Sequence, residues 1–481
     1  MHKQIYKIVD TCDIKSGKRL PAGTDFSSLP TEHPYIRARD VKDGKINPDD
    51  LVYINDQIYN KIKKYIINTG DIAITIVGAS VGDVGYANKD INKYNLTENC
   101  VRLTNFREYV NGKYLFYMLY QKQYRDFMQL IAGAAAQPKL GIYKLERIKV
   151  ALPKIEIQNK IADVLSAYDD LIENNNKRIA LLEKAAQELY KEWFVRFCFP
   201  GYENVKLKDS ALGHIPENFD VVKMGDVLSY YIGGGWGEDD ESTSYPCDAY
   251  VIRGTDFPKI KNGDWSTCPY RFHKKSNYEA RKLEPWDIVL EVSGGTQEQP
   301  VGRTLIVTPD LLNALSNKVI CASFCKQLRC DDNVISPIYY YYWMQFLYDT
   351  RIIDKFQLQS TGIINFKFEY FHRKGDVLLP PKHIMDEFEN KVKQIFKLKD
   401  DLALQNRNLI KQRDLLLPRL MSGKLEVDVE SINKGKETNK IISFEQFKQE
   451  FKFAARADNA LSDDDVKNLY EAYCNDKCKK E

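Results

Sequence analysis

An internal repeat constrains the fold of this 481-residue chain more than any other feature. Short matches recur in the same order at an offset that grows from 216 to 227 residues, beginning with residues 6–10 against 222–226 and ending with 152–153 against 379–380. A duplicated domain with insertions in its surface loops produces this drift, because loops accept added residues at little cost. The sequence therefore predicts two homologous domains.

Each copy ends in a Leu-Pro pair that is followed by apolar residues at alternating spacings of three and four. The two patterns coincide at a constant offset of 227 residues. This heptad pattern indicates two long helices, each needing a helical partner, and the nearest partner is the other copy. The apolar seam positions are Ile161, Leu165, Tyr168, Ile172, Ile179, Leu182, Leu189, Phe388, Val392, Ile395, Leu402, Leu409 and Leu416.

Polar residues interrupt this seam at Asn175, Lys399, Asn406 and Arg413. Polar seam positions weaken an apolar stripe but can fix the register and the choice of partner. The alternative is that each stripe simply covers its own globular domain.

Between the helices, β-branched runs such as IAITIV and IVLEV alternate with glycine-rich turns and aromatic-rich helical segments. The predicted fold class is α+β, with two tandem homologous domains, each followed by a long helix. The boundaries are 1–150 for the first domain, 151–200 for its helix, 201–382 for the second domain and 383–424 for its helix. Residues 425–481 have no counterpart in the first copy and form an appendage with short helical patterns.

The net charge of +3 is unevenly distributed. Residues 1–150 carry 23 basic and 16 acidic side chains, whereas residues 201–382 carry 21 basic and 24 acidic ones. One domain can therefore attract a nucleic acid although the whole chain is nearly neutral. Apolar runs are too short to span a bilayer, and the N-terminus lacks a signal-peptide pattern, so we expect a cytoplasmic protein without membrane contact. Ten cysteines are too few for a disulfide scaffold.

The motifs of common catalytic sites are missing. The sequence contains no GxxxxGK[ST] phosphate loop, no complete GxGxxG, no [DNS]PP[FY] tetrad and no nuclease constellation. Its histidines are dispersed, and its cysteines lack two ligand pairs at zinc spacing. We therefore nominate no catalytic and no metal-binding residue, and we expect a function based on binding.

Three segments carry a resemblance to a known family. They are AGAAAQPKLGIYKLERIKVALPKIEIQNKIADVLSAYDDLIENNNKRIALLE (132–183), SALGHIPENFDVVKMGDVL (210–228), and LPPKHIMDEFENKV with RDLLLPRLMSGKL (379–392 and 413–425). Together with the repeat, they resemble the specificity subunit of type I restriction–modification systems over about residues 1–425.

The resemblance implies a non-catalytic subunit that binds double-stranded DNA. Each globular domain is then a target recognition domain for one half of a bipartite site. The two helices pair as an antiparallel coiled coil that separates the domains. Two modification subunits bind S-adenosylmethionine and methylate adenine, and restriction subunits use ATP and Mg²⁺ to translocate and cleave DNA. This chain itself binds no cofactor.

Base reading needs side chains with donors and acceptors, and phosphate contacts need Lys, Arg and backbone amides. In the first domain the candidates are Lys15, Lys18, Arg19, Arg37, Arg39, Lys61, Lys63, Lys64, Ser80, Gln137 and Lys139. In the second domain they are Trp236, Arg253, Thr255, Lys274, Lys275, Arg281, Ser293, Thr296, Gln297, Gln359 and Thr361. For any single lysine, mere solvation is the more common role, and Arg37 and Arg253, at equivalent repeat positions, can share a structural role instead.

Two other functional classes remain open from the sequence. One is a non-catalytic coiled-coil scaffold whose globular domains bind proteins. The other is a self-contained enzyme, which the missing nucleophile, metal and nucleotide motifs disfavour. The dependence of DNA binding on salt discriminates the DNA-binding hypothesis from the scaffold.

Overall fold

The computed structural model of the chain describes residues 2–47, 51–133, 137–296, 299–360 and 363–425. The chain forms two compact units. The first contains the residues up to Asp170 and the segment that begins at Leu409, and the second contains Leu171–Asn408. Each unit therefore combines one globular copy with one end of each long helix. The units divide the chain within the two long helices, whereas the sequence placed the domain boundaries at the ends of these helices. The boundaries expected from the sequence stay a prediction.

The first unit is built from short strands and helices. Its strands are β1 (Gln4–Lys7), β2 (Asp13–Ser16), β3 (Pro34–Ile36), β4 (Val41–Lys42), β5 (Gly44–Ile46), β6 (Val52–Tyr53), β7 (Ile66–Ile67), β8 (Ile72–Thr75), β9 (Val84–Tyr86), β10 (Tyr94–Leu96), β11 (Cys100–Thr104) and β12 (Lys149–Leu152). Its helices are α1 (Ile8–Thr11), α2 (Asp56–Ile62), α3 (Gly112–Tyr120), α4 (Lys122–Ala132), α5 (Ile142–Glu146) and the start of α6 (Ile155–Phe194).

Strand β8 is the centre of the first unit. The sheet order is β2-β11-β8-β9-β5-β4, beside a second sheet β6-β3-β10-β7 and the pair β1-β12. Ile72 and Ile74 pack into a core shared with α3, whereas Ala73 packs into a separate core on the opposite face. Because both faces are covered, the strand is a continuous apolar run instead of an alternating one.

The second unit repeats this plan with longer connections. Its strands are β13 (Leu207–Ser210), β14 (Gly213–Pro216), β15 (Asp220–Lys223), β16 (Leu228–Gly233), β17 (Cys247–Ile252), β18 (Tyr270–His273), β19 (Ile288–Glu291), β20 (Ser293–Gly295), β21 (Thr304–Ile306), β22 (Val319–Cys321), β23 (Cys325–Cys330), β24 (Gln357–Ser360), β25 (Ile363–Phe366) and β26 (Asp376–Leu379). Its helices are α7 (Phe257–Lys261), α8 (Lys275–Arg281), α9 (Pro309–Ala314), α10 (Pro337–Asp349), α11 (Phe368–Lys374) and α12 (Lys382–Ser422).

The strand pairings of the two units correspond. The antiparallel pair β15-β26 matches β1-β12, and the parallel pair β17-β22 matches β3-β10. The buried strand β19 matches β8 and again lies between two cores. The repeat predicted from the sequence is therefore also a repeat of structure, and the α+β fold class is confirmed.

Three aspartates in each copy explain why particular residues match between the copies. The carboxylate of Asp71 accepts a hydrogen bond from the backbone N–H of Asn68 (2.9 Å), and that of Asp287 accepts one from Glu284 (2.7 Å). The same turn, from an aspartate to the amide three residues earlier, recurs at Asp10 and Asp226 and at Asp40 and Asp256. These side chains satisfy turn amides that strands leave unpaired, so the matches reflect local backbone chemistry.

The long helices are antiparallel where they meet within the second unit. The Nδ2 of Asn175 donates to Oδ1 of Asn406 (3.0 Å), and the Nδ2 of Asn406 donates to Oδ1 of Asn176 (2.8 Å). Eight residues further along α6, Glu183 forms an ion pair with Lys399, which lies earlier in α12. Residue numbers thus rise on one helix as they fall on the other, and the seam amides of Asn175 and Asn406 bind each other.

Within the first unit, the same two helices meet at Asp169 and Arg413, whose Nη1 lies 2.6 Å from Oδ1 of the carboxylate. The hydroxyl of Tyr117, on α3, donates to the other oxygen of Asp169 (2.5 Å). Burial and the charge of Asp169 raise the pKa of Tyr117 well above its usual value, so this hydroxyl stays a donor. The helix pair is therefore tied to the globular part of the unit.

The start of α6 is anchored by the buried Gln158. Its Nε2 donates to the carbonyls of Pro153 (2.8 Å) and Tyr109 (2.9 Å), and its Oε1 accepts from the N–H of Asn111 (3.0 Å). This amide satisfies backbone groups that would otherwise be buried without partners. The Leu-Pro junction and the first turn of the helix are thereby fixed on the first globular copy.

The seam positions differ in burial along the helices. Ile161, Leu165, Ile172, Ile179, Phe388, Val392 and Leu402 are buried, and Tyr168, Leu182, Leu189, Ile395, Leu409 and Leu416 are half-buried. On α12, Phe396 and Leu417 are buried beside the half-buried Ile395 and Leu416. A straight helix rotates slowly relative to a strict seven-residue repeat, so the buried face shifts by one residue along α12. Phe396 and Leu417 therefore pack into the cores of the globular parts.

Among the helices of the described ranges, none is long and apolar enough to cross a membrane.

Candidate nucleic-acid interface

Three exposed lysines of the first unit lie at the C-terminal end of α2. Asn55 caps this helix by accepting from the N–H of Ile58 (2.9 Å), and Ile58 and Ile62 bury one face of it. Lys61, Lys63 and Lys64 lie on the exposed side at its C-terminal end. Lysines at a helix C-terminus also interact favourably with the helix dipole.

The loop after β2 brings two further cations to this surface. The ammonium of Lys18 lies 5.8 Å from the ring centre of Tyr65, the residue after Lys64. Arg19 is 76% exposed and donates from Nε to Glu98 (3.0 Å). We call Lys18, Arg19, Lys61, Lys63 and Lys64 the basic cluster.

Gly17 allows the loop of the basic cluster to lie close to the sheet. Its N–H donates to the carbonyl of Cys100 (3.0 Å), and the N–H of Lys18 donates to that of Leu96 (2.8 Å). A Cβ at Gly17 would overlap the carbonyls of Leu96 and Thr97. A larger residue would therefore lift the loop and its cations away from the sheet.

A second group of candidates lies where β8 ends. The N–H of Gly78 donates to the carbonyl of Pro138 (3.0 Å), and Val77 forms an antiparallel bridge with Lys139. This contact places the turn of the half-buried Ser80 beside the exposed Gln137 and Lys139, although about 60 residues separate the two segments in the sequence. We call this pair of segments the glycine-turn edge of the first unit.

The second unit has the same edge at the end of β19. The segment β20 pairs with β25, and the hydroxyl of Ser293 donates to Oδ1 of Asn365 (2.6 Å). The hydroxyl of the exposed Thr296 accepts from the N–H of Gln299 (3.0 Å). Gln297 and Thr361 lie outside the described residues, as does the side chain of Gln359.

Arg37 and Arg253 hold equivalent structural positions. Arg37 donates from Nε and Nη2 to the two carboxylate oxygens of Asp40 (3.0 and 2.9 Å), and Arg253 does the same to Asp256 (2.9 Å for both bonds). Arg253 also donates to the carbonyl of Thr267 (2.7 Å). This bidentate geometry fixes a turn in each unit and favours the structural role over base reading.

The remaining candidates for DNA contact lie at separate places on the two units. Lys15 is exposed on β2 near Asp13, and Arg39 is half-buried in the turn that follows Arg37. In the second unit, Thr255, Lys274 and Lys275 are exposed.

A loop of the second unit holds Trp236 in a defined position. The guanidinium carbon of Arg271 lies 4.8 Å from the ring centre of Trp236, and its Nε and Nη2 donate to the carbonyls of Trp236 (3.3 Å) and Gly237 (3.1 Å). Arg281 donates to the carbonyl of Gly233 at the start of the same loop (2.9 Å). The sequence did not single out Arg271, because it lies 35 residues from its partner.

Glu291 and Arg303 form another contact that the sequence did not indicate. The guanidinium of Arg303 donates to both carboxylate oxygens (2.8 and 2.6 Å), and both side chains are largely buried. A Cβ at Gly254 would overlap this carboxylate. The ion pair therefore links the turn of Arg253 to the end of β19, where the glycine-turn edge begins.

The part of the chain that the structure describes contains no group of residues arranged for metal binding, and neither Cys100 nor Cys321 has an activated thiol. No three His, Cys, Asp or Glu residues there are grouped to hold a metal ion. Burial raises the pKa of Cys100 and Cys321 to about 12 each, so both thiols stay protonated and are poor nucleophiles.

The chain is similar to known proteins. The family model described as the type I restriction modification DNA specificity domain matches residues 2–184. The MjaIX type I restriction enzyme specificity subunit of Methanocaldococcus jannaschii is 26% identical over 74% of this chain and 78% of its own length. The HindI specificity subunit of Haemophilus influenzae is 22% identical over 83% of this chain and 96% of its own. Residues 2–184 match the specificity domain of type I restriction–modification systems, and most of the chain is similar to the specificity subunits of these systems.

A solved structure shares the fold of this specificity subunit. The crystal structure of the S subunit of a type I restriction-modification system from M. genitalium is 14% identical, matches with a TM-score of 0.50, and covers 87% of this chain and 96% of that chain. The family model and the curated relatives confirm the resemblance to type I specificity subunits that the sequence predicted. As a specificity subunit, the chain is a non-catalytic component of a type I complex and has no catalytic cofactor of its own.

Proposed function

We propose that this specificity subunit reads a bipartite target in duplex DNA, with one half-site for each recognition domain, and positions the other subunits of the complex on it. The observation that carries the proposal is the repeated glycine-turn edge. In both units a glycine-containing turn follows the buried central strand and lies beside the segment that precedes the last short helix. Loops on a rigid scaffold are the common place for base reading.

The two recognition domains contribute differently to binding. The first carries a net charge of +7 and presents the basic cluster, whereas the second carries −3. Phosphate contacts supply affinity without sequence information. We assign most of the electrostatic attraction to DNA phosphates to the first domain. The second domain then relies more on apolar contacts and hydrogen bonds to the bases.

The partners and cofactors follow from family membership as proposals. Two modification subunits bind S-adenosylmethionine and methylate adenine in the target. Restriction subunits supply ATP- and Mg²⁺-dependent translocation and cleavage. The complex acts in the cytoplasm, where the host DNA is.

A salt series tests the proposal. We expect the full chain, assembled with its modification subunits, to bind duplex DNA with an affinity that falls about 10³-fold or more between about 50 and 200 mM salt, because released counterions drive phosphate contacts. Affinity is measured by fluorescence anisotropy on a labelled duplex. An affinity that does not respond to salt would favour the alternative function, a coiled-coil scaffold whose domains bind proteins.

A further inference from the structure

The loop after β16 in the second unit corresponds to the loop after β2 in the first. The N–H of Gly234 donates to the carbonyl of Cys325 (2.9 Å), and the N–H of Gly235 donates to that of Cys321 (2.9 Å). Gly17 and Lys18 donate in the same way to Cys100 and Leu96, which occupy the equivalent positions of the first unit. A Cβ at Gly234 would overlap the carbonyls of Cys321 and Ala322, as one at Gly17 would overlap its own neighbours.

This correspondence sets Trp236 at the position of Arg19. Arg19 is an exposed member of the basic cluster. Of the five tryptophans, all of which lie in the described ranges, only Trp236 is exposed, at 41%. The same point of the fold therefore presents a cation in the first recognition domain and an aromatic ring in the second.

Contacts from Arg271 fix the position of the Trp236 ring. Arg271 is only 12% exposed and makes four contacts to the loop: its guanidinium lies over the indole, donates to the carbonyls of Trp236 and Gly237, and pairs with Asp239. Gly237 has a φ of +73°, and a Cβ there would lie 2.5 Å from the carbonyl of Phe272. A fixed aromatic side chain loses little conformational entropy when it binds, which is typical of binding hot spots.

Charge near the ring is balanced. Glu238, Asp240 and Glu241 follow the tryptophan, and they are offset by three cations of the neighbouring segments, Lys274, Lys275 and Arg281. Phosphate attraction is therefore weak at this point, and stacking is the contact that the exposed ring can make. Bases offer a π-face whatever their sequence.

We propose that Trp236 contacts the DNA of the second half-site by stacking on a base or a partly opened base step, and that Arg271 is the positioning residue that holds the ring. The inference rests on the proposed function and names a contact within it. It makes the second recognition domain sensitive to the deformability of its half-site, because opening a base step costs free energy that depends on the step.

The test uses the full chain with its modification subunits and a duplex that carries the methylated site of the host, with 2-aminopurine placed at each position of the second half-site in turn. We expect binding to raise the 2-aminopurine emission at one position and Trp236→Ala to abolish this rise. The same substitution should weaken binding about 10- to 100-fold, the usual range for a lost stacking contact. Trp236→Phe should bind within about threefold of the unmodified chain, since it keeps an aromatic face.

Matched variants separate stacking from folding. Tyr202→Ala removes another aromatic side chain of the second unit, 43% exposed, and should leave the emission and the affinity unchanged. Trp236→Leu keeps an apolar side chain without a stacking face and should behave like Trp236→Ala. Arg271→Met should weaken binding less than Trp236→Ala, and the double variant should be no weaker than Trp236→Ala alone. Additive losses would mean that Arg271 acts on the fold and not through the ring.

Two results would overturn the inference. One is a Trp236→Ala variant that binds the site within twofold of the unmodified chain with the same emission rise. The other is a variant that loses its modification subunits while DNA binding persists, which would make the loop a protein contact. In both cases the unmodified chain still prefers its site to unrelated DNA, and the proposed function stands. If the unmodified complex shows no such preference, the proposed function itself fails.

Discussion

Replacing Lys61, Lys63 and Lys64 by glutamine is expected to weaken DNA binding about 10- to 100-fold at about 0.1 M salt. The three ammonium groups lie at the exposed end of α2, and each can neutralise one phosphate. The slope of log affinity against log salt should become shallower by about three, because each lost contact releases roughly one counterion fewer. The sequence preference should not change, since phosphate contacts carry no base information.

A control triple variant keeps the same change in charge. Lys122, Lys149 and Lys154 are exposed in the first unit but lie outside the basic cluster. Their replacement by glutamine should change the salt slope by less than about one, because binding then responds to local contacts and not to net charge. Equal slopes for the two triple variants would contradict the assignment of the basic cluster to the DNA surface.

Replacing Asp169 by alanine is expected to destabilise the first unit by about 2–4 kcal/mol, because it leaves the guanidinium of Arg413 and the hydroxyl of Tyr117 without their shared partner. Arg413 is 13% exposed and keeps its ion pair with the neighbouring Asp414 and its position over the ring of Tyr120. In differential scanning calorimetry, the transition of this unit should fall by roughly 5–15 °C.

The neighbouring carboxylate provides the control. Asp414 also accepts from Arg413, but it is 51% exposed, so Asp414→Ala should cost less than about 1 kcal/mol. The double variant Asp169→Ala, Arg413→Met should regain part of the loss, since no buried charge is then unpaired. If Asp169→Ala and Asp414→Ala lowered the transition equally, the contact would not be what holds α12 to the first unit.

The duplication, the long helices and the family could be predicted because each has a local or periodic signature. Asp10, Asp40 and Asp71 recur at a fixed offset, since each closes a turn with an amide three residues earlier. The polar pair Asn175 and Asn406 was visible as an interruption of the seam, but only the antiparallel register shows that the two amides bind each other.

Contacts between distant segments could not be predicted in the same way. Arg271 and Trp236, or Arg303 and Glu291, are ordinary residues in the sequence until the strands bring them together. The correspondence of Trp236 with Arg19 was hidden because the loops differ in composition and share only a glycine and its backbone hydrogen bonds. For Arg37 and Arg253, the aspartate three residues later was a signal for a structural turn that outweighs their charge.

The central claim is that this chain supplies the sequence specificity of a type I complex. Single-molecule methylation sequencing of the host genome, with and without the gene for this chain, tests it most directly. The account predicts that one bipartite motif, with methylated adenine in both halves and a spacer of fixed length between them, loses its methylation when the gene is deleted and regains it when the gene is restored. A methylome that is unchanged by the deletion would contradict the account.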